Sequence, residues 1–312
     1  MKNTRVHAPE FNKVMSEFTY ELKKEGKDQI YIDQHTDRMK EFLSYVEGNG
    51  IKTIKEINQP VADSYMLYME QERVNENFGG TLWQSTINLH INAISKFWKY
   101  LAIEGIEANT IFIRHRKKTK QKEITVLTRE EIKQLYAVCD SDGLGYLNRA
   151  ILAIYYGCGM RNGEGLRLMI TDIDFNRSRI HVRKSKNGSE RYVMMSPTVQ
   201  QHLEDYVYNY RDVYIEELSN HSNPDAFFIG VNGKELAKKA LLKRLQKLWK
   251  KAKSIYGSDK LIGIHTLRHT LGTHLYMTTK DIEMIALMLG HRSLCTTQVY
   301  IHLTNLIQNE TI

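Results

Sequence analysis

Cysteine is scarce in this chain: Cys139, Cys158 and Cys295 are the only three in 312 residues. They are too few and too widely spaced for a CxxC metal site or a disulfide framework, so a reduced, cytoplasmic setting is expected. Long apolar runs are also missing. None approaches the ~20 residues that a membrane span needs, and Met1-Lys2-Asn3-Thr4-Arg5 leads straight into polar sequence. The expectation is a soluble protein with no membrane partner. The 12 histidines include His265, His269 and His274, but there is no HExxH and no carboxylate cluster beside them, so no metal is expected. Gly157, Gly159, Gly163 and Gly165 lie close together without forming GxxxxGK[ST], which removes the phosphate loop of a nucleotide-binding enzyme. No cofactor is implied. Internal repeats and low-complexity tracts are absent as well.

What is present is a chain long enough for two modest cores, with 42% hydrophobic residues. Lysine plus arginine number 44 against 36 acidic residues, a formal charge of +8 that favours a polyanionic partner such as nucleic acid. Apolar residues recur at helical spacing through Phe11, Val14, Met15, Phe18 and Leu22, with Gly26 as the stop. The same period returns through Met39, Phe42, Leu43 and Val46, through Tyr65, Met66 and Met69, and through Ile87, Ile91, Ile94, Trp98 and Leu101. A domain of about four helices is predicted over residues 8–104.

After Gly105 the helical period fades and basic residues gather: Arg114, Arg116, Lys117, Lys118, Lys120 and Lys122. Residues 105–125 read as an interdomain linker, and as a strap along a phosphate backbone whose Arg114, Arg116, Lys117, Lys118 and Lys120 displace counterions. A second domain is predicted over 126–307. Thr128-Arg129-Glu130-Glu131 has capping-box spacing, so a helix should start there and run towards Cys139. Ile180 and Val182, then Tyr192 and Val193, flank the turn-like Lys186-Asn187-Gly188-Ser189 and predict a β-hairpin. Helical patterns resume near Thr198 and include the Lys-rich segment 234–253. The fold class expected is mainly α with a small antiparallel β-sheet.

Reactive side chains in the second domain occur in a definite order. They are Arg161 after Gly157-Cys158-Gly159-Met160, Lys186 on the hairpin turn, His265 and Arg268 in His-Thr-Leu-Arg-His, His291 in Leu-Gly-His, and Tyr300 in Thr-Thr-Gln-Val-Tyr. Singly, none is specific. In this order, with the blocks 265–270, 289–291 and 296–302, the chain resembles the tyrosine recombinase (phage integrase) family. The helical first domain also looks like that family's core-binding domain, on pattern and position.

The resemblance implies metal- and ATP-independent cutting and rejoining of double-stranded DNA, with Tyr300 as the nucleophile of a 3′-phosphotyrosyl intermediate. The chemistry fits these residue types. Without a metal, positive charge must gather around the pentavalent phosphate, and the guanidinium forks of Arg161 and Arg268 match its non-bridging oxygens. His265 and Arg268, three positions apart, share a helix face and can point at one phosphate. A phenol with a pKa near ~10 needs a base, for which His265 is the candidate. The leaving 5′ oxygen needs an acid, which the resemblance places at Lys186; Lys184 is the rival, and Arg191 aligns with the arginine that follows the family's hairpin lysine. His291 would donate a hydrogen bond to phosphate, and Glu164 would orient the catalytic groups.

Gly163 and Gly165 depart from the family pattern, and because glycine costs a helix roughly 1 kcal/mol relative to alanine, the helix after Arg161 is expected to start late or to bend. Ser189 and Met194 stand where a lysine and a proline are frequent. The family also implies a homotetramer on two DNA sites, with the tail Leu303 to Ile312 a candidate for docking on a neighbour. No further N-terminal arm-binding domain of the kind large phage integrases carry is visible, which favours a simpler enzyme on short sites. Integration, excision, inversion and dimer resolution all stay open. Type IB topoisomerases share the tyrosine and arginine chemistry, but the Leu-Gly-His and Thr-Thr-Gln-Val-Tyr boxes favour a recombinase.

Overall fold

Two separate apolar cores organise the chain, and the computed structural model divides into the units Met1–Lys122 and Glu123–Ile312. It describes residues 5–75, 79–116, 124–183, 190–217, 223–230, 233–257, 260–291 and 293–309, with side chains at 217 and 306–309 left aside.

The first unit is helical, as its periodicity predicts. Helix α1 (Pro9–Lys24) opens on a proline whose missing N–H costs nothing in the first turn, and it buries Phe11, Val14, Met15, Phe18 and Leu22. Helix α2 (Gln29–Gly48) is capped by the Asp28 carboxylate, which accepts from the Tyr31 amide. Helices α3 (Gln59–Gln71) and α4 (Gln84–Ile103) complete the bundle. Phe18 meets Phe97 edge to face at 5.1 Å, and the buried Tyr65 hydroxyl pairs with His90 Nδ1 at 3.0 Å. Residues 105–116, expected as linker, belong to this unit. Ile106, Ala108, Ile111 and Ile113 pack against its core, and Phe112 exchanges two backbone hydrogen bonds with the Gln59 amide. The fading of the 3.6-residue period there marks an extended stretch lying on the bundle, whose apolar residues at 111 and 113 follow a period of two.

The second unit begins with α5 (Arg129–Ala137), whose Thr128 and Glu131 close the capping box in both directions. Helix α6 (Gly143–Leu152) runs into a π-helical turn at Ala153–Gly157, followed by the short α7 (Asn162–Leu166). Strands β1 (Ile173–Asp174), β2 (Arg179–Val182) and β3 (Arg191–Met194) form an antiparallel sheet in that order. In the register Ile173 faces Ile180, which faces Val193; these point inward while Tyr192 and Met194 are exposed. The hairpin was legible, whereas two-residue β1 was too short to show a period. Helix α8 (Pro197–Tyr206), a second π-helical turn and α9 (Asp212–Glu217) follow. The Lys-rich α10 (Lys238–Tyr256) buries Leu241, Leu245, Leu248, Trp249 and Ala252 and leaves its lysines on the other face.

The last three helices are α11 (Ile264–Thr279), α12 (Ile282–Leu289) and α13 (Val299–Asn309). Leu271, Ile285, Leu289, Tyr300 and Leu303 make a small core among them. Among the described residues no helix is long and apolar enough to cross a membrane.

Candidate active site

The centre of the site is a buried carboxylate. Glu164, in the first turn of α7, accepts from the Arg161 amide at 2.9 Å and from Arg161 Nη1 at 2.7 Å. Its two oxygens also take both terminal nitrogens of Arg191, at 3.2 and 2.9 Å, and Arg268 Nη1 stands 4.0 Å away. Desolvation by itself would raise this carboxyl, but the bonds from Arg191 and Arg161 outweigh it and hold the pKa near 2. Three guanidiniums thus converge on one anion. Contrary to expectation, α7 starts without delay at Asn162, immediately after Arg161, and covers only five residues. Gly165 has a packing reason: a Cβ there would lie 2.6 Å from the Tyr155 hydroxyl.

Backbone carbonyls hold the arginines in place. Arg161 Nη2 donates to the Gly290 carbonyl at 2.7 Å, while its side chain keeps 31% exposure and so stays open to an incoming anion. Arg268 is 4% exposed and donates to the carbonyls of Gly159 at 2.6 Å and Leu289 at 2.7 Å. Burial, then the neighbouring Arg161, brings its pKa down to about 10, which leaves it charged at neutral pH. His265 sits one turn earlier on α11 and is exposed. Partial desolvation and the charges of Arg268, Lys238 and Arg161 lower its pKa, so it is neutral at pH 7 and free to accept a proton.

Helix α12 ends at Gly290 in the left-handed conformation, and His291 follows. Its Nδ1 meets the Thr297 hydroxyl at 2.7 Å, and its ring stacks beside that of Tyr300 with centroids 6.2 Å apart and planes 17° apart. Burial and the surrounding arginines bring the His291 pKa down to about 4. Tyr300, in the first turn of α13, is 1% exposed. Burial raises its phenol above the usual range, opposed by the positive charges of Arg268 and Arg161.

Arg161, Glu164, Arg268, His291 and Tyr300 therefore form one contiguous cluster, with His265 at its edge. Lys186 and its rival Lys184 lie outside the described residues, as do Lys117, Lys118 and Lys120. Arg116 is in the first unit, where its Nε pairs with Glu70 and its backbone amide with Asn88 Oδ1 at 2.7 Å. Arg114 is exposed there, and no ion pair joins it to a described residue. Arg191, 8% exposed, entered the sequence reading only as an alignment marker, yet it carries two of the bonds on Glu164 and one to the Met288 carbonyl at 3.2 Å. An arginine opening the second strand of the hairpin was its signal. Thr297 and Gly290 were legible only as letters inside the boxes. Among the described residues no group of three or more His, Cys, Asp or Glu side chains is placed to hold a metal ion.

The family model for the phage integrase family matches residues 125–306, more than half of the chain. The chain belongs to the phage integrase family. As a tyrosine recombinase it is an enzyme of site-specific DNA recombination. It is 30% identical to the tyrosine recombinase XerD of Oceanobacillus iheyensis over 221 residues, covering 70% of this chain and 72% of that protein. With the tyrosine recombinase XerC of Chlamydia caviae the identity is 31% over 252 residues, covering 80% and 76%. The XerH site-specific recombinase bound to a palindromic difH substrate shares the fold, with a TM-score of 0.70 at 21% identity over 95% of this chain and 83% of that one. A lambda integrase dimer bound to a core site gives a TM-score of 0.64 at 14% identity, over 93% and 94%.

Proposed function

We propose that this tyrosine recombinase cuts duplex DNA by attack of the Tyr300 phenol oxygen on a scissile phosphate. The P–O bond to the 5′ oxygen breaks, leaving a 3′-phosphotyrosyl link and a free 5′-hydroxyl. His265 takes the phenol proton and Lys186 supplies one to the departing oxygen. Arg161 and Arg268 neutralise the charge that gathers on the non-bridging oxygens, and His291 adds a hydrogen bond. Attack by a partner strand's 5′-hydroxyl reverses the chemistry, so the phosphotyrosyl bond conserves the energy and neither ATP nor a metal is needed. The observation that carries this reading is that the Tyr300 phenol lies within the field of Arg268 and Arg161, with the His291 ring stacked beside it at 6.2 Å.

The helical unit is the core-binding domain in this proposal, and residues 126–307 are the catalytic domain. Arg114, Arg116, Lys117, Lys118 and Lys120 add phosphate contacts, with Arg116 first having to leave Glu70. Exchange between two sites requires four protomers, and the segment beyond Leu303 docks on a neighbour. The enzyme acts in the cytoplasm, where its free thiols stay reduced. The deciding experiment incubates the protein with a nicked suicide DNA substrate and seeks a covalent protein–DNA species on a denaturing gel. Tyr300→Phe abolishes the adduct; an adduct from that variant would show that another residue is the nucleophile.

A further inference from the structure

A buried nucleophile poses a difficulty that the cluster itself does not resolve. With 1% exposure, the Tyr300 ring cannot meet a duplex phosphate from where it lies. Its position has a specific cause on α11. His265, Arg268 and Gly272 fall at intervals of three and four, so they form one stripe along that helix. Gly272 is in the helix interior, where glycine is intrinsically unfavourable, and the reason for it is on the facing helix. A Cβ at Gly272 would lie 2.4 Å from Tyr300 Cζ and 2.6 Å from both Cε1 and Cε2. The hydroxyl end of the ring therefore lies flat on bare backbone. His269 stands over it at a centroid distance of 6.0 Å and His291 at 6.2 Å, and Leu271 and Leu303 share its core.

We infer that Gly272 is a positioning residue: its missing side chain makes the seat on which the Tyr300 ring lies in the protein without DNA. The inference rests on Tyr300 as the nucleophile but concerns where the ring waits. Any methyl at this position removes the seat, because it would stand 2.4–2.6 Å from three atoms of the ring, closer than side-chain carbons approach.

Tetranitromethane tests this directly, since it nitrates the ring carbons next to the phenol oxygen, which are the two that cover Gly272. In wild-type full-length protein without DNA, Tyr300 is nitrated severalfold more slowly than the exposed Tyr20 and Tyr208, as read by peptide mass spectrometry. Gly272→Ala raises the Tyr300 rate severalfold, while Gly263→Ala, on the cap of the same helix with open space around its Cβ position, leaves it unchanged. Ultraviolet titration, taken as the difference between each protein and its Tyr300→Phe counterpart, shows the phenol moving down towards its ordinary value of about 10 in Gly272→Ala. The gain in helix propensity that alanine brings would by itself move neither signal in folded protein. Wild-type nitration and titration retained in Gly272→Ala overturn the seat, as does wild-type Tyr300 that reacts as fast as Tyr20 should the variant not fold. Neither result bears on the DNA adduct, which tests the nucleophile separately.

Discussion

Glu164 touches no phosphate in the proposed reaction, yet it decides where the cations that do so can stand. Its carboxylate answers the bonds of Arg161 and Arg191 and lies near Arg268, so removing its charge leaves buried guanidiniums facing one another. Glu164→Gln should cost about 3–5 kcal/mol at pH 7, the usual penalty for breaking a buried ion pair. The pH dependence follows from a folded pKa near 2 against an ordinary 4.5. A depressed carboxyl stabilises the fold fully above 4.5, and that contribution, at most about 3 kcal/mol, is lost as the pH falls through 4.5 towards 2. The gap in denaturation midpoint between wild type and Glu164→Gln should therefore narrow steadily over that window; a gap independent of pH would show that the fold leaves the carboxyl's pKa unshifted. His291 loses stability in the same direction but earlier, because a histidine pKa near 4 means that the fold resists protonation from pH 6.5 downward. Its geometry gives a second expectation. If the Thr297 hydroxyl donates to Nδ1, the ring proton sits on Nε2, where it can reach a phosphate. Thr297→Val should then lower the single-turnover rate of adduct formation about tenfold, the value of one hydrogen bond of about 1.4 kcal/mol, with DNA affinity unchanged. An unaltered rate would remove Thr297 from the mechanism.

Helix α7 shows two element-scale effects in opposition. Intrinsic propensity says that glycine to alanine in a helix gains up to about 1 kcal/mol. At Gly165 the new methyl would stand 2.6–2.8 Å from the ring and hydroxyl of Tyr155, which is fully buried and cannot retreat. Overpacking of this kind costs about 1–3 kcal/mol, so Gly165→Ala should lower the melting temperature, and cleavage should fall with it because Arg161 caps the displaced helix. A higher melting temperature would mean that propensity wins. The sequence showed the long elements because α1, α4 and α10 repeat an apolar face over several turns, and it showed α5 because Thr128 and Glu131 carry cap chemistry at fixed spacing. It could not show β1, two residues long, nor the role of Gly165, since a contact with a side chain ten residues away leaves no local period. Residues 105–116 were misjudged for a related reason: the basic side chains of Arg114 and Arg116 dominate the letters, while Ile111 and Ile113 determine where the backbone lies. The reactive residues were legible because their chemistry restricts residue type. The walls that hold them were not, because Gly159, Leu289 and Gly290 act through carbonyls that any residue possesses.

For the whole molecule, the two cores make each unit an independent folding candidate, and the charge is spread over both. The second unit carries the lysines of α10 on its surface, including Lys243, Lys247 and Lys250, all exposed. The first contributes Arg114, exposed, and Arg116, held by Glu70. Phosphate contacts release counterions, and the slope of log affinity against log salt counts them at roughly 0.9 per contact on duplex DNA. If both units grip the duplex, a fragment comprising residues 124–312 should bind its site with a shallower slope than the full chain. Glu70→Gln in the full chain should steepen the slope, because it frees Arg116 from its carboxylate. A fragment with the full chain's slope would mean that the helical unit makes no phosphate contact. A steepened slope for Glu70→Gln alone, with fragment and chain otherwise alike, is inconsistent with the same model, since Arg116 lies in the unit that the fragment lacks. The two measurements together therefore separate a clamp built from both units from a catalytic unit that binds DNA alone.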